Sequence, residues 1–306
     1  MAEADRTAPV RPVVTIGNFD GVHLGHRAVL EEAREIAGSG PLAVVTFDPH
    51  PLRMLRPDAA PAVLTPLERK QQLLRAAGVD RVRVLGFTAE VASWSPRRFV
   101  EQVLVAELAA RAIVVGENFR FGRGAAGDVA LLRRLGEIGD FVVVPAPLTS
   151  AQPIAGRVSS SLIRTLVADG NLSDAARLLG RPHRVSGQVV TGDRRGRELG
   201  FPTANLSLPA EIAVPADGIY ASWLTVAGIR YPAVTSIGSN PTFDGTQRRV
   251  EAHVLDRSDL NLYRQRADLD FVSRQRATVR FDSAAALVAQ MAEDVAVGRR
   301  LLGAGR

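Results

Sequence analysis

Val13-Val14-Thr15-Ile16 runs directly into Gly17-Asn18-Phe19-Asp20-Gly21-Val22-His23-Leu24-Gly25-His26, and Val29, Leu30, Ala33, Ile36 and Ala37 then continue at helical spacing. The β-branched run reads as a buried strand, and the spacing predicts a helix over 26–37. Strand, glycine-rich turn and helix, in that order, suit a phosphate. Glycines let a ligand approach the backbone, and a helix start offers free N–H groups and the positive end of a dipole. His23 and His26 lie three residues apart, so both can face one ligand there. Imidazole N–H donors match the charge that develops on a phosphate during in-line attack. Taken alone, a His-x-x-His pair also reads as two polar loop histidines. A metal reading would need His50 as a third ligand, with no acidic ligand motif beside it. The position between strand and helix favours the phosphate reading.

The alternation continues outward. Short apolar runs at 42–47, 81–85, 112–115 and 141–144 alternate with helical patterns at 66–77, 96–108 and 129–138. This predicts an α/β domain, a parallel sheet covered by helices on both faces, with ligands at the carboxyl ends of its strands. Two more helical stretches fall at 160–169 and 173–179. From Arg184 onward the segments are short, alternating and punctuated by Gly and Pro, at 185–190, 218–226, 231–237, 249–255 and 267–272. That predicts a small antiparallel β-barrel, followed by one closing helix at 283–302. The boundary is placed near 180–183, giving domains 1–181 and 182–306.

The length of 306 residues itself favours two domains over one core. Cysteine is absent, which excludes disulfides, thiolate zinc sites and cysteine nucleophiles. The N-terminal stretch 1–12 has no signal-like apolar core, and no apolar run reaches spanning length. A cytoplasmic protein with no membrane partner is expected. The net charge of +6 comes almost wholly from scattered arginines, without the clustering and aromatic interleaving of a nucleic-acid surface. No nucleic-acid partner is expected. The single lysine, Lys70, lies in Leu67-Glu68-Arg69-Lys70. That is neither a Walker A lysine nor a kinase strand lysine, so any ATP must be handled by His, Arg, hydroxyls and backbone N–H groups.

Other stretches sit where ligands would. Phe47-Asp48-Pro49-His50-Pro51 and Gly116-Glu117-Asn118-Phe119-Arg120-Phe121-Gly122 each follow a predicted strand. Val158-Ser159-Ser160-Ser161-Leu162-Ile163-Arg164 puts hydroxyls at a helix start and Arg about one turn on, which also reads as a plain N-cap. In the second half, Gly192, Gly196 and Gly200 punctuate a loop running into Phe201-Pro202-Thr203-Ala204-Asn205-Leu206. Such a loop can fold over phosphates or simply connect a hairpin. Thr203 and Asn205 supply oxygen ligands suited to a hard cation carried by ATP. Glu251, in Val250-Glu251-Ala252-His253, alternates with apolar neighbours and could equally face solvent.

Together these stretches resemble the bacterial bifunctional riboflavin kinase/FMN adenylyltransferases. The matching pieces of the first half are 17–26, 47–51, 116–122, Gly127-Asp128 and 159–164; those of the second are 180–255 and the closing helix through Met291 and Asp294. The resemblance implies an HxGH-type nucleotidyltransferase fold followed by a riboflavin-kinase barrel. It implies that the FMN phosphate attacks the α-phosphate of ATP, releasing pyrophosphate, with His23 and His26 stabilising the transition state. Gly17, Asn18, Phe19, Asp20, Asn118, Arg157, Ser159, Ser160 and Arg164 would hold nucleotide or flavin. In the kinase half, Gly192, Gly196 and Gly200 would line the nucleotide, Thr203 and Asn205 would hold Mg2+ with ATP, and Glu251 would take the proton from the riboflavin 5′-hydroxyl. Riboflavin, FMN and ATP are the implied small-molecule substrates and FAD the product, on a monomer or weak homo-oligomer. Ser161 stands where the family often has Thr. Arg264, in Leu262-Tyr263-Arg264, replaces a usual Gly, and Gln275 replaces a usual Leu, both near the expected flavin edge. Two alternatives stay open: an adenylyltransferase with a weakened kinase half, and a non-catalytic flavin- or RNA-binding regulator.

Overall fold

The computed structural model describes residues 10–147, 158–192, 195–239 and 248–304. The chain forms two compact units, which meet in sequence at Ser159 and Ser160; Ala62–Thr65 belongs to the second.

The first unit is built on strands β1 (Val13–Ile16), β2 (Leu42–Asp48), β3 (Arg81–Gly86), β4 (Ala112–Gly116) and β5 (Val142–Ala146). They pair in parallel in the order β3-β2-β1-β4-β5. The pleat sends alternate residues to opposite faces, so each apolar run feeds two cores. Val14, Ile16, Val45 and Ile113 pack with Phe99, Leu104 and Leu132 on one face. Val13, Leu42, Val44 and Val114 pack with Leu30, Ala33 and Leu74 on the other. All four β1 residues are buried, which is why that run carries no alternation in the sequence. Helix α1 (Leu24–Ala37) starts two residues before the predicted 26, because His23 caps it. Short helix α2 (Pro51–Leu55), capped by His50, was not expected; five residues are too few to show a period. Helix α3 (Leu67–Ala76) agrees with the predicted 66–77. The predicted helix over 96–108 is two pieces, Pro96–Phe99 and a wider π-turned stretch Val100–Glu107.

The chain leaves β1 towards β2 and β3 on one side, then returns to the other side of β1 with β4 and β5. The carboxyl ends of β1 and β4 therefore flank the topological switch point, where an open parallel sheet leaves a crevice.

In the second unit, β6 (His183–Val190), β7 (Thr203–Ser207), β8 (Gly218–Val226), β9 (Ile229–Ser239), β10 (Arg248–Val254) and β11 (Arg266–Arg276) close into an antiparallel barrel of order β10-β7-β6-β11-β8-β9. Helices Ser160–Ala168 and Leu172–Leu179 belong to this unit. Strand β7, which is not among the expected barrel segments, follows the glycine-rich loop; Ala204 and Leu206 face inward, leaving Thr203 and Asn205 on the partly open face. The closing helix, Ala284–Leu302, packs Val295 and Leu302 against Ile219, Val234 and Leu255. A side chain at Gly298 would meet Val234 at 2.6 Å, so only glycine allows this close approach.

Candidate active sites

The turn after β1 delivers both histidines to one place. His23 Nδ1 accepts the backbone N–H of His26 at 3.2 Å, capping α1. That bond uses Nδ1 as an acceptor, which places the proton of the neutral ring on Nε2. The His26 ring stacks on that of His23, with centroids 3.6 Å apart and planes 13° from parallel. Phe19 lies against His26 at 5.1 Å. A side-chain carbon at Gly25 would fall 3.2 Å from the His23 ring, which explains the glycine between the two histidines.

The turn is strained. Phe19 and Val22 hold φ values of 49° and 39° without being glycine. Such backbone costs of order 1–3 kcal/mol per residue and persists only where its surroundings fix it. Here Gly17 N–H donates to Val45 O at 3.1 Å, and Thr46 Oγ1 donates to Asn18 O at 3.0 Å. The Asn18 side chain reaches His50 Nε2 at 3.3 Å. Phe19 and Asp20 are buried.

Across the switch point, Asn118 is exposed just beyond β4. Its loop is held by Phe119 stacked on Phe121 at 5.4 Å, and by backbone bonds between Phe121 and Gly127 of 3.1 and 2.9 Å. Ser159 closes the first unit, whereas Ser160 and Arg164 fall in the second. Arg164 Nε donates to Ala62 O at 2.7 Å. Arg157 and the stretch 240–243 lie outside the described residues.

In the barrel, β10 pairs Glu251 with Asn205 and His253 with Thr203 on β7. The four polar side chains thus share one patch, with Thr203 Oγ1 3.5 Å from Glu251 Oε2. A cavity of about 320 Å³ opens beside it, lined by Gly196, Thr203, Glu251, Phe281 and Met291 among others. Gly192 and Asn205 line a neighbouring cavity of about 780 Å³ together with Arg164. A side chain at Gly192 would lie 2.4 Å from Asn205 Nδ2, so the loop rides directly on that amide. Gly200, at φ 86°, needs glycine for its backbone.

His253 and Asp294, given no role of their own in the sequence, also build this wall, with Arg276. His253 Nδ1 pairs with Pro202 O at 2.8 Å, fixing the segment before Thr203. Arg276 grips Asp294 through two bonds of 2.8 and 2.6 Å, pinning the closing helix over the cavity. The alternation of Glu251 with His253 could have flagged the histidine. The Arg276–Asp294 pair spans 18 residues and leaves no local pattern.

The two departures have structural consequences. Arg264 sits at φ 63°, the left-handed conformation a glycine adopts freely, and still makes the turn's bonds, with its N–H to Val189 O at 2.8 Å. Arg264→Gly is expected to stabilise the barrel by about 1 kcal/mol, the left-handed penalty less glycine's extra unfolded-state entropy. A urea titration reporting on the barrel checks it. Gln275 buries both side-chain amide atoms with no hydrogen-bond partner among the described residues. An unsatisfied buried amide costs about 1–3 kcal/mol. Gln275→Leu should therefore raise the barrel's melting midpoint by several degrees, read by calorimetry.

A nucleotide-type crevice on an open parallel sheet and a Thr-x-Asn strand beside a carboxylate on a closed barrel define a two-site phosphorus-group transferase. Residues 5–162 match the FAD synthetase family and residues 179–302 the riboflavin kinase family. The chain is 38% identical to the bifunctional riboflavin kinase/FMN adenylyltransferase of Escherichia coli K12, over 95% of this chain and 93% of that one. It is 36% identical to the Listeria monocytogenes enzyme of the same name, over 95% and 92%. A solved Streptococcus pneumoniae structure, described as a macrolide-efflux protein, superposes with a TM-score of 0.86 at 32% identity over 96% of each chain. Among the described residues no helix is long and apolar enough to cross a membrane. The chain belongs to the bifunctional riboflavin kinase/FMN adenylyltransferase family, and it is an enzyme of FMN and FAD synthesis.

Proposed function

We propose that the chain converts riboflavin to FMN in the barrel and FMN to FAD at the switch point, with functional halves 1–181 and 182–306. The observation that carries the second step is the stacked His23–His26 pair at the start of α1. An FMN phosphate oxygen bonds to the α-phosphorus of ATP as the bond to pyrophosphate breaks. His23 Nε2–H and the His26 ring donate to the charge building on that phosphorus, beside the N–H groups and dipole of α1. Gly17 to Asp20, Asn118 and Ser159 would cradle the nucleotide, and the family resemblance gives Arg157, Ser160 and Arg164 the same role.

In the barrel, Glu251 accepts the 5′-hydroxyl proton of riboflavin as that oxygen bonds to the γ-phosphorus and ADP leaves. Catalysis there is mostly positioning and charge neutralisation. Thr203 and Asn205 present hydroxyl and amide oxygen on one strand face beside a carboxylate, a donor set that fits a hard cation. They would hold Mg2+ arriving with ATP, whose part is to neutralise phosphate charge. The partly apolar cavity beside Glu251 suits a flavin ring, and Gly192, Gly196 and Gly200 let the loop close on the nucleotide. We place the enzyme in the cytoplasm as a monomer or weak homo-oligomer. Incubation with riboflavin, ATP and Mg2+, followed by flavin chromatography over time, tests the reading. FMN should rise first and FAD follow; absence of FAD from supplied FMN overturns the adenylyl-transfer assignment.

A further inference from the structure

Lys70 is the chain's only lysine, and it is 7% exposed. Lysine is rarely buried unless its ammonium is paired. From α3, its Nζ donates to Asn18 O at 3.1 Å and Phe47 O at 3.3 Å. These carbonyls lie at the carboxyl ends of neighbouring strands, Asn18 just past β1 and Phe47 near the end of β2. Asn18 O is the same atom that accepts from Thr46 Oγ1. One ammonium therefore ties the β1 turn to the end of β2, at the point where the strained backbone begins. Burial pulls the Lys70 pKa below the usual lysine value, while Asp20 and Asp48 oppose that shift. Asp20 lies between Phe19 and Gly21, both at positive φ, and three residues before His23. Removing the ammonium alone would leave the Asn18 and Phe47 carbonyls without this donor and Asp20 and Asp48 without this charge, so Lys70 contributes to stability as well.

We propose that Lys70 is a positioning residue for adenylyl transfer: it locks the ends of β1 and β2 together and so fixes the turn that presents His23 and His26 to the reacting phosphate. The proposal rests on the adenylyl-transfer reading of that turn. Lys70 does not touch the reacting atoms; it acts through the Asn18 and Phe47 carbonyls. Its charge also offsets two carboxylates near a loop that receives a polyanionic nucleotide.

Two variants of the full chain test this. Lys70→Met keeps length and packing but loses charge and donors; Lys70→Gln keeps one amide donor. Steady-state FMN-to-FAD kinetics are measured beside riboflavin phosphorylation by the same preparation, which gauges the folded enzyme. Misplacing a reacting group by about 1 Å can cost roughly 10²-fold. Lys70→Met is therefore expected to lower kcat for FAD formation roughly 10–100-fold, with KM for ATP and FMN moving less than about 3-fold and riboflavin phosphorylation unchanged. Lys70→Gln should fall between Lys70→Met and the wild type, at least about threefold below the wild type. If either folded variant keeps kcat within about twofold of the wild type, whatever its melting temperature, the proposal is overturned. Should both variants fail to fold, Lys70 is a stability residue and the proposal also fails. A wild-type protein that makes no FAD from FMN and ATP instead refutes the underlying site reading, before any variant is compared.

Discussion

His26→Ala is expected to lower FMN-to-FAD conversion by roughly 10²–10³-fold, the scale for removing one preorganised transition-state donor. This variant isolates the ring. The His26 backbone N–H that His23 Nδ1 accepts survives the substitution, so the cap of α1 and the His23 tautomer stay in place. His23→Ala would confound chemistry with stability, because losing an N-cap costs about 0.5–2 kcal/mol by itself. Among the contacts His26 loses are its stack on His23 and its tilted contact with Phe19, a buried residue of the core on one sheet face, so the variant's melting midpoint is measured beside its rate. Riboflavin phosphorylation should continue at its wild-type rate, since Glu251, Thr203 and Asn205 stand in the other compact unit. Initial rates on the two substrates, measured separately, check both halves of this expectation.

Glu251→Gln is expected to produce the converse. Replacing the carboxylate by an amide of the same shape removes the proton acceptor, and loss of a general base costs roughly 10²–10⁴-fold. The register of β10 on β7 pairs Glu251 with Asn205, and an isosteric amide leaves that ladder intact. Riboflavin phosphorylation should collapse while FMN supplied from outside is still adenylylated. Retention of kinase activity in this variant would move the base elsewhere. His253 and Asp294 line the same cavity and would be the next residues to test.

Much of this organisation was legible in the sequence because it is local. The β1 turn, the histidines and α1 are contiguous, so strand, glycines and helix could be read in one stretch. The barrel strands announced themselves by alternation and by Gly and Pro punctuation. Strand β7 did not, because Thr203-Ala204-Asn205 is short and follows a glycine-rich loop, and only pairing to β6 and β10 makes it a strand. Lys70 was informative in sequence only for the motifs it lacks. Its partners lie 52 and 23 residues away, and no periodicity points to them. The Arg276–Asp294 clamp escaped for the same reason. At Arg264 the resemblance expects glycine; the structure keeps the glycine-like backbone with arginine in place, so the departure strains the turn without redirecting it.

Two phosphorus-transfer sites carried on one chain should fail independently of each other. The most direct test crosses the two variants with the two substrates and separates the flavins by chromatography. His26→Ala given riboflavin and ATP should accumulate FMN with little FAD, and Glu251→Gln given FMN and ATP should make FAD at the wild-type rate. Loss of both conversions in either folded variant would contradict the account.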